Sequence, residues 1–161
     1  MDINFLVKLT SRAWCIPTLA LMHEGIAGKQ AVLLRHTGAG RTAFGQSMDS
    51  LIALELVERA PGHGHPFRPE YRLTDKGRPI AAMAAQVQRA LPHPDSAPLL
   101  RRSWTLPILA VSQTPHFFSG LKTALPMITD RALSQSLKHL HGADWIIREV
   151  NTALMPPRPL Y

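Results

Sequence analysis

Apolar residues recur at three- and four-residue intervals in several separate stretches of the chain, with glycine and proline between them. This spacing predicts amphipathic helices, whereas two short runs flanking a turn-rich loop predict strands. In the first half the predicted elements are helices at residues 14–23, 29–36 and 41–54, strands at 56–60 and 70–74, and a helix at 78–91. The predicted order is therefore three helices, a hairpin and a closing helix.

The second half repeats this order, and short stretches of sequence repeat with it. Residues 14–20 reappear in similar form at residues 104–110, with tryptophan first and proline fourth in both runs. Arg41 aligns with Arg131 at the same offset, and a polar run around Gln46 echoes one around Gln135 one residue out of step. Several matches in one order predict a tandem duplication of one small domain.

The boundary between the two copies is predicted at residues 92–98, which contain three prolines and read as a short, semi-rigid linker. The first domain is then residues 1–91 and the second residues 99–161. In the second domain the predicted elements are helices near 103–112, 118–125 and 129–141, and strands near 145–150 and 158–161. A counterpart of the closing helix is absent from this domain.

Composition narrows the possible functions. A length of 161 residues allows one domain or two small ones, and 45% hydrophobic residues suffice for a core. The single cysteine excludes an intrachain disulfide framework and fits a reducing compartment. A net charge of +7 favours a polyanionic partner. With no signal peptide, membrane-length apolar run or catalytic motif recognised, we expect a cytoplasmic, non-enzymatic protein without a membrane partner or cofactor.

Three helices followed by a hairpin form the winged helix-turn-helix layout, and the residues carry a family resemblance. Residues 104–109, 118–126 and 128–140 together resemble the HxlR-type bacterial regulators. Residues 68–77 resemble the wing strand and the start of the final helix of that family, and residues 41–51 are similar to the related MarR-type regulators. The expected fold is mainly α with small β-hairpins (α+β), arranged as two tandem winged domains that form a pseudo-dimer.

This resemblance implies a sequence-specific transcriptional regulator that binds double-stranded DNA through two recognition helices and two wings. The outward polar side chains of each third helix are suited to base edges and phosphates, and the wing arginines to the DNA backbone. Thr129 is also a plausible helix N-cap. The predicted DNA-binding residues are Arg41, Thr42, Gln46, Ser50 and Arg68 in the first domain, and Thr129, Arg131, Ser134, Gln135, Lys138 and Arg158 in the second.

Three features depart from the usual single-domain pattern of such regulators. Two domains are fused, which predicts a built-in pseudo-dimer reading two half-sites about one helical turn apart, with further pairing into a homodimer left open. Without a closing helix in the second domain, dimerisation would fall to residues 2–10 or 78–91, or would not be needed. Glu55 stands where a turn glycine is common, so we expect a distorted turn there.

Other conspicuous residues have simpler explanations. Cys15 is interpreted as a buried, inert thiol rather than a redox sensor. The pairs His63/His65 and His139/His141 lack further ligands, so solvated or phosphate-facing imidazoles are favoured over a metal site. Two alternatives stay open: a winged-helix module that binds proteins as an anti-repressor or adaptor, and a regulator gated by a small-molecule effector. The effector would bind between the domains, beside tryptophans 14 and 104.

Overall fold

The computed structural model describes residues 2–60, 70–152 and 155–161. These residues are mainly helical, with two antiparallel hairpins, which confirms the predicted α+β class; the pseudo-dimer stays a prediction. The helices are α1 (Ile3–Thr10), α2 (Cys15–His23), α3 (Gln30–Thr37), α4 (Arg41–Ala53), α5 (Gly77–Arg89), α6 (Ala97–Leu100), α7 (Thr105–Val111), α8 (Phe118–Ala124) and α9 (Asp130–Gly142). The strands are β1 (Val57–Ala60), β2 (Glu70–Leu73), β3 (Glu149–Asn151) and β4 (Arg158–Leu160).

The chain divides into two compact units. The central unit is Arg12–Ala97, and the terminal unit combines Met1–Ser11 with Pro98–Tyr161. The assignment of residues 1–91 and 99–161 as two domains stays a prediction. The compact units differ from this assignment chiefly in α1, which belongs to the terminal unit. The predicted linker region includes a short 3-10 turn, Pro94–Ser96, followed directly by α6.

The central unit contains α2 to α5 and the hairpin of β1 and β2. Its core is formed by large apolar side chains that are fully buried, including Leu19, Leu33, Phe44, Met48 and Leu51. Helix α5 packs along α2 through buried alanines, whose small side chains allow the two backbones to approach closely. The strands pair in register from Val57 with Leu73 to Ala60 with Glu70.

The terminal unit contains α1 and the elements from α7 to β4. Its core is a cluster of buried residues on α7, α8, α9 and the connections that follow them, and Ile3 and Val7 of α1 pack against this cluster. Helix α1 contacts α7 and buries Leu6 and Leu9. The hydroxyl of Thr10 also donates a hydrogen bond of 2.7 Å to the carbonyl of Ser103. The first helix of the chain thus completes a unit whose other elements lie near its end.

The same turn follows α4 in the central unit and α9 in the terminal unit. The N–H of Leu56 donates to the carbonyl of Leu51 (3.0 Å), and the N–H of Trp145 donates to that of Leu140 (2.9 Å). Each turn passes through a left-handed residue, at Glu55 with φ 60° and at an aspartate, residue 144, with φ 57°. Glu55 thus adopts the conformation that glycine favours, and the expected distortion of this turn stays a prediction because both turns lack glycine.

Contacts of Glu55 stabilise this left-handed conformation, which costs a non-glycine residue free energy. Its carboxylate accepts a hydrogen bond from the ammonium of Lys76 at 2.9 Å, and its carbonyl accepts one from the hydroxyl of Thr74 at 2.6 Å. The side chain that replaces glycine thereby ties the turn to the start of α5.

In the central unit the segment between α2 and α3 is hydrogen-bonded to β2. In the terminal unit the segment between α7 and α8 is hydrogen-bonded to the residue that follows β4. The N–H of Tyr71 donates to the carbonyl of Gly28 at 2.8 Å, while His116 and Tyr161 exchange two backbone hydrogen bonds of 2.9 Å. A Cβ at Gly28 would lie 1.8 Å from the carbonyl oxygen of Tyr71, so this close approach requires glycine. The segment holds each hairpin against its helices.

Among the described residues, no single helix has the length and apolar character needed to cross a membrane. Helices α1 and α2 reach that composition only when taken together as a broken pair. Each of the two contributes buried side chains to the core of its own unit.

Candidate nucleic-acid interface

Helices α4 and α9 are matched in length and in pattern of burial. Each has 13 residues, and their buried large side chains lie 89 residues apart. These side chains are Phe44, Met48 and Leu51 in α4, and Leu133, Leu137 and Leu140 in α9. With this offset, Arg41 of α4 is equivalent to Asp130 of α9, and Thr42 is equivalent to Arg131. The sequence alignment of Arg41 with Arg131 is therefore wrong by one residue, because the burial pattern fixes which side chains face outward.

The face of α9 opposite its buried leucines presents Arg131, Gln135 and Lys138. Their spacing of four and three residues places them in one stripe along the helix. All three are exposed, as is Ser134 beside them. None of the three has a hydrogen-bond or ion-pair partner among the residues that the structure describes. Two cations and an amide are therefore free to meet phosphates and base edges.

The N-terminus of α9 is fixed by two side chains. The hydroxyl of Thr129 caps the helix by accepting a hydrogen bond from the N–H of Ala132 at 3.2 Å. The ammonium of Lys122 on α8 binds the carbonyl of Ile128 at 2.5 Å and the carboxylate of Asp130 at 2.6 Å. Thr129, predicted as a DNA contact, thus has a structural role at the start of the helix. Lys122 was not among the predicted site residues, because only the turn brings it beside Asp130.

The corresponding outward stripe of α4 consists of Thr42, Gln46 and Asp49, all exposed. The side-chain oxygen of Gln46 accepts a hydrogen bond of 3.3 Å from the guanidinium of Arg12, which precedes α2. Arg41 is exposed at the edge of this stripe. The N-cap of α4 is a glycine, which supplies no side-chain hydrogen bond to the first turn.

Ser50, the remaining predicted contact on α4, is partly buried. Its side chain acts to lower the pKa of the neighbouring Cys15. The thiol of Cys15 is fully buried and is 3.6 Å from the carbonyl of Ser47. Burial raises the pKa of Cys15 from 9.0 to about 12, so the thiol is protonated at neutral pH. This agrees with its interpretation as an unreactive core residue, because the thiolate is the reactive form.

The two hairpins contribute further exposed cations. Arg158 is exposed at the start of β4, opposite Asn151 of β3. Arg68, His63 and His65, which were predicted to lie in the first wing, are outside the described residues. Two exposed arginines on the first hairpin, Arg59 on β1 and Arg72 on β2, were not predicted as site residues. The register places them on opposite faces of the hairpin, so alternation along a strand does not identify both.

The histidines of α9 belong to no metal-binding cluster among the described residues. His139 and His141 are both exposed near the end of α9, and the described part of the chain contains no group of three His, Cys, Asp or Glu side chains suited to a metal ion. Trp104 lines a shallow cleft of the terminal unit, together with α1 and the turn that precedes α9. This cleft is open to solvent and does not enclose a ligand-sized volume.

Comparisons with known proteins agree with this geometry. Residues 99–161 match the family described as HxlR-like helix-turn-helix. Over 105 residues the chain is 31% identical to an uncharacterized HTH-type transcriptional regulator of Mycobacterium tuberculosis (strain CDC 1551 / Oshkosh), covering 62% of this chain and 65% of the relative. An uncharacterized HTH-type transcriptional regulator of Mycobacterium bovis is 30% identical with the same coverage. The chain thus spans slightly less than two thirds of the length of these relatives.

Proposed function

We propose that this chain is a DNA-binding transcriptional regulator, because residues 99–161 match the HxlR-like helix-turn-helix family. It contacts double-stranded DNA through α9 and α4, with the two hairpins beside the phosphate backbone. The observation that carries this proposal is the outward stripe of Arg131, Gln135 and Lys138 on α9.

The chemistry of this stripe matches the major groove. A guanidinium can donate two hydrogen bonds to guanine, a glutamine amide can pair with adenine, and a lysine ammonium neutralises a phosphate. Such a base contact contributes about 1–3 kcal/mol of discrimination. The capped N-terminus of α9 also presents the positive end of the helix dipole, which favours a phosphate nearby.

Features that recur in both compact units support a built-in pseudo-dimer of two winged domains derived from a tandem duplication. The matched burial of α4 and α9, the left-handed turns that follow them and the segment bound to each hairpin all recur. A pseudo-dimer would read two half-sites separated by about one helical turn, roughly 34 Å. Covalent linkage raises the effective concentration of the second contact once the first is made.

Selection of duplex DNA from a random pool tests this function. We expect an enriched motif whose binding weakens steeply with salt, because phosphate contacts release counterions. Arg131→Ala should lower affinity for the selected duplex by about 5- to 150-fold, which corresponds to 1–3 kcal/mol.

Arg89→Ala is the matched control for this substitution. It removes the same charge from an exposed position at the end of α5. No enriched motif, together with weak, salt-insensitive association, would instead favour a winged-helix module that binds proteins.

A further inference from the structure

We infer that the two recognition helices are unequal: α9 makes the principal DNA contact, and Asp49 weakens the contact that α4 makes at the matching position. This inference rests on the proposed function and concerns how that function is divided between the units. It predicts an operator with one strong and one weak half-site.

The first step is the register of the two helices. Their buried positions coincide at an offset of 89 residues, so the central outward positions also correspond. Gln46 and Gln135 are then equivalent, and both are exposed. Three residues further along each helix, α4 has Asp49 where α9 has Lys138.

This position contributes most of the charge difference between the two stripes, and Thr42 in place of Arg131 contributes the rest. The central stripe of α9 carries two cations, whereas that of α4 carries one anion and no cation. Asp49 is exposed and has no ion-pair partner among the described residues. A carboxylate at the centre of a groove-facing helix lies near the phosphates, whose repulsion is strongest within the Debye length of about 8 Å.

The acidic residue of α9 does not have the same effect. Asp130 lies at the helix N-terminus and to one side of the outward stripe, and the ammonium of Lys122 binds its carboxylate. The positive end of the helix dipole stabilises the same charge. Asp130 is therefore held in a direct ion pair, whereas Asp49 has none among the described residues.

The shared glutamine is also held differently in the two helices. The guanidinium of Arg12 binds the side-chain oxygen of Gln46, so a base contact through that oxygen would share it with Arg12 or displace this hydrogen bond. Gln135 has no hydrogen-bond partner among the described residues and meets DNA without such a rearrangement. Both the charge of the stripe and the availability of the glutamine amide favour α9 as the helix that binds DNA more tightly.

Exchanging the charges at the matched position tests the inference. The full chain is compared with Asp49→Lys, Asp49→Asn and Lys138→Asp, on the selected duplex and on a mixed-sequence duplex of equal length. Each affinity is measured across a salt series. Glu24→Lys is the control, since it makes the same charge change at an exposed residue at the end of α2.

We expect Asp49→Lys to bind both duplexes about fivefold more tightly at physiological salt, as one added phosphate contact would, and to steepen the log–log salt slope by about 0.9. Asp49→Asn should change affinity in the same direction by less. Lys138→Asp should weaken binding more than tenfold, since it removes a contact and adds a repulsion. Glu24→Lys should change the slope much less than Asp49→Lys. Circular dichroism of each variant confirms that it is folded.

The two failures can be told apart. If the parent chain shows no salt-dependent binding to either duplex, the proposed function fails and the inference fails with it. If the parent binds but Asp49→Lys gains no more than Glu24→Lys, only the inference fails. A loss of affinity in Asp49→Lys on the selected duplex alone would also overturn it, because Asp49 would then be accepting a hydrogen bond from a cytosine amino group.

Discussion

The ammonium of Lys122 on α8 lies 2.6 Å from the carboxylate of Asp130, the first residue of α9. The same ammonium donates a hydrogen bond to the carbonyl of Ile128 in the turn between the two helices. One side chain thereby joins both helices of the helix-turn-helix to the turn that connects them. This connection adds to the packing of the buried leucines, which sets the orientation of α9 and the direction of Arg131.

Replacement of Lys122 by methionine should loosen the start of α9. We expect a stability loss of about 1 kcal/mol, since the ion pair is largely exposed and the hydrogen bond to Ile128 is the stronger part. DNA affinity should fall further than stability alone predicts, because the freed carboxylate of Asp130 then repels phosphate. Urea unfolding and DNA titration measure the two effects separately.

The double variant Lys122→Met/Asp130→Asn separates the two causes. It should recover part of the DNA affinity without recovering stability, because it removes the unpaired charge but restores no hydrogen bond to Ile128. Equal loss of affinity in the single and double variants would show that Asp130 has no electrostatic role.

Thr129→Ala should destabilise the terminal unit through loss of the N-cap. Removing a threonine cap costs about 0.5–2 kcal/mol. Thr129→Ser keeps the capping oxygen and should retain most of the stability. Thermal unfolding of the three proteins gives the comparison. If alanine and serine unfold at the same temperature, the hydrogen bond to the N–H of Ala132 contributes nothing measurable.

Much of the local structure could be predicted from the sequence, because apolar spacing determines helices directly. The helix predicted at residues 129–141 is α9, Asp130–Gly142, and that at 41–54 is α4, Arg41–Ala53. The alignment of Arg41 with Arg131 is wrong because it rests on the identity of the two side chains and not on which neighbouring side chains are buried. A shift of one residue turns a helical side chain by about 100°, and only the packed core fixes that rotation.

Other features depend on contacts between distant parts of the chain. Local spacing predicts that α1 has an apolar face, but it does not say which core that face joins. The left-handed turn at Glu55 is likewise favoured by Lys76 and Thr74, which lie about twenty residues later. The candidate site shows the same division: the outward polar residues follow from periodicity, whereas the roles of Lys122 and Arg12 follow from tertiary contacts.

The buried thiol of Cys15 predicts a loss of stability at alkaline pH. Its pKa rises from 9.0 to about 12 on folding, so the native state retains a proton that the unfolded state loses above pH 9. Stability is therefore fully present below about pH 9 and falls as pH rises toward 12. Urea unfolding at pH 8, 9 and 10 measures this.

Cys15→Ala provides the comparison for this pH dependence. Although the substitution lowers stability at every pH, it should flatten the decline above pH 9, leaving the contribution of groups such as Tyr71, whose pKa is also raised by burial. An identical decline in both proteins would exclude Cys15 as its source. Slow labelling of the native thiol by iodoacetamide at pH 8 is expected for the same reason.

The packing of α1 in the terminal unit gives a prediction that joins the two ends of the chain. Leu9 is 1% exposed, so Leu9→Ala should lower the stability of that unit by about 2–5 kcal/mol. In a Trp14→Phe background the fluorescence comes from Trp104 and Trp145, both in the terminal unit, and should report the loss. Leu19→Ala is the matched control, because Leu19 is equally buried in the central unit. If Leu19→Ala shifts this fluorescence transition and Leu9→Ala does not, α1 does not stabilise the unit that contains α9.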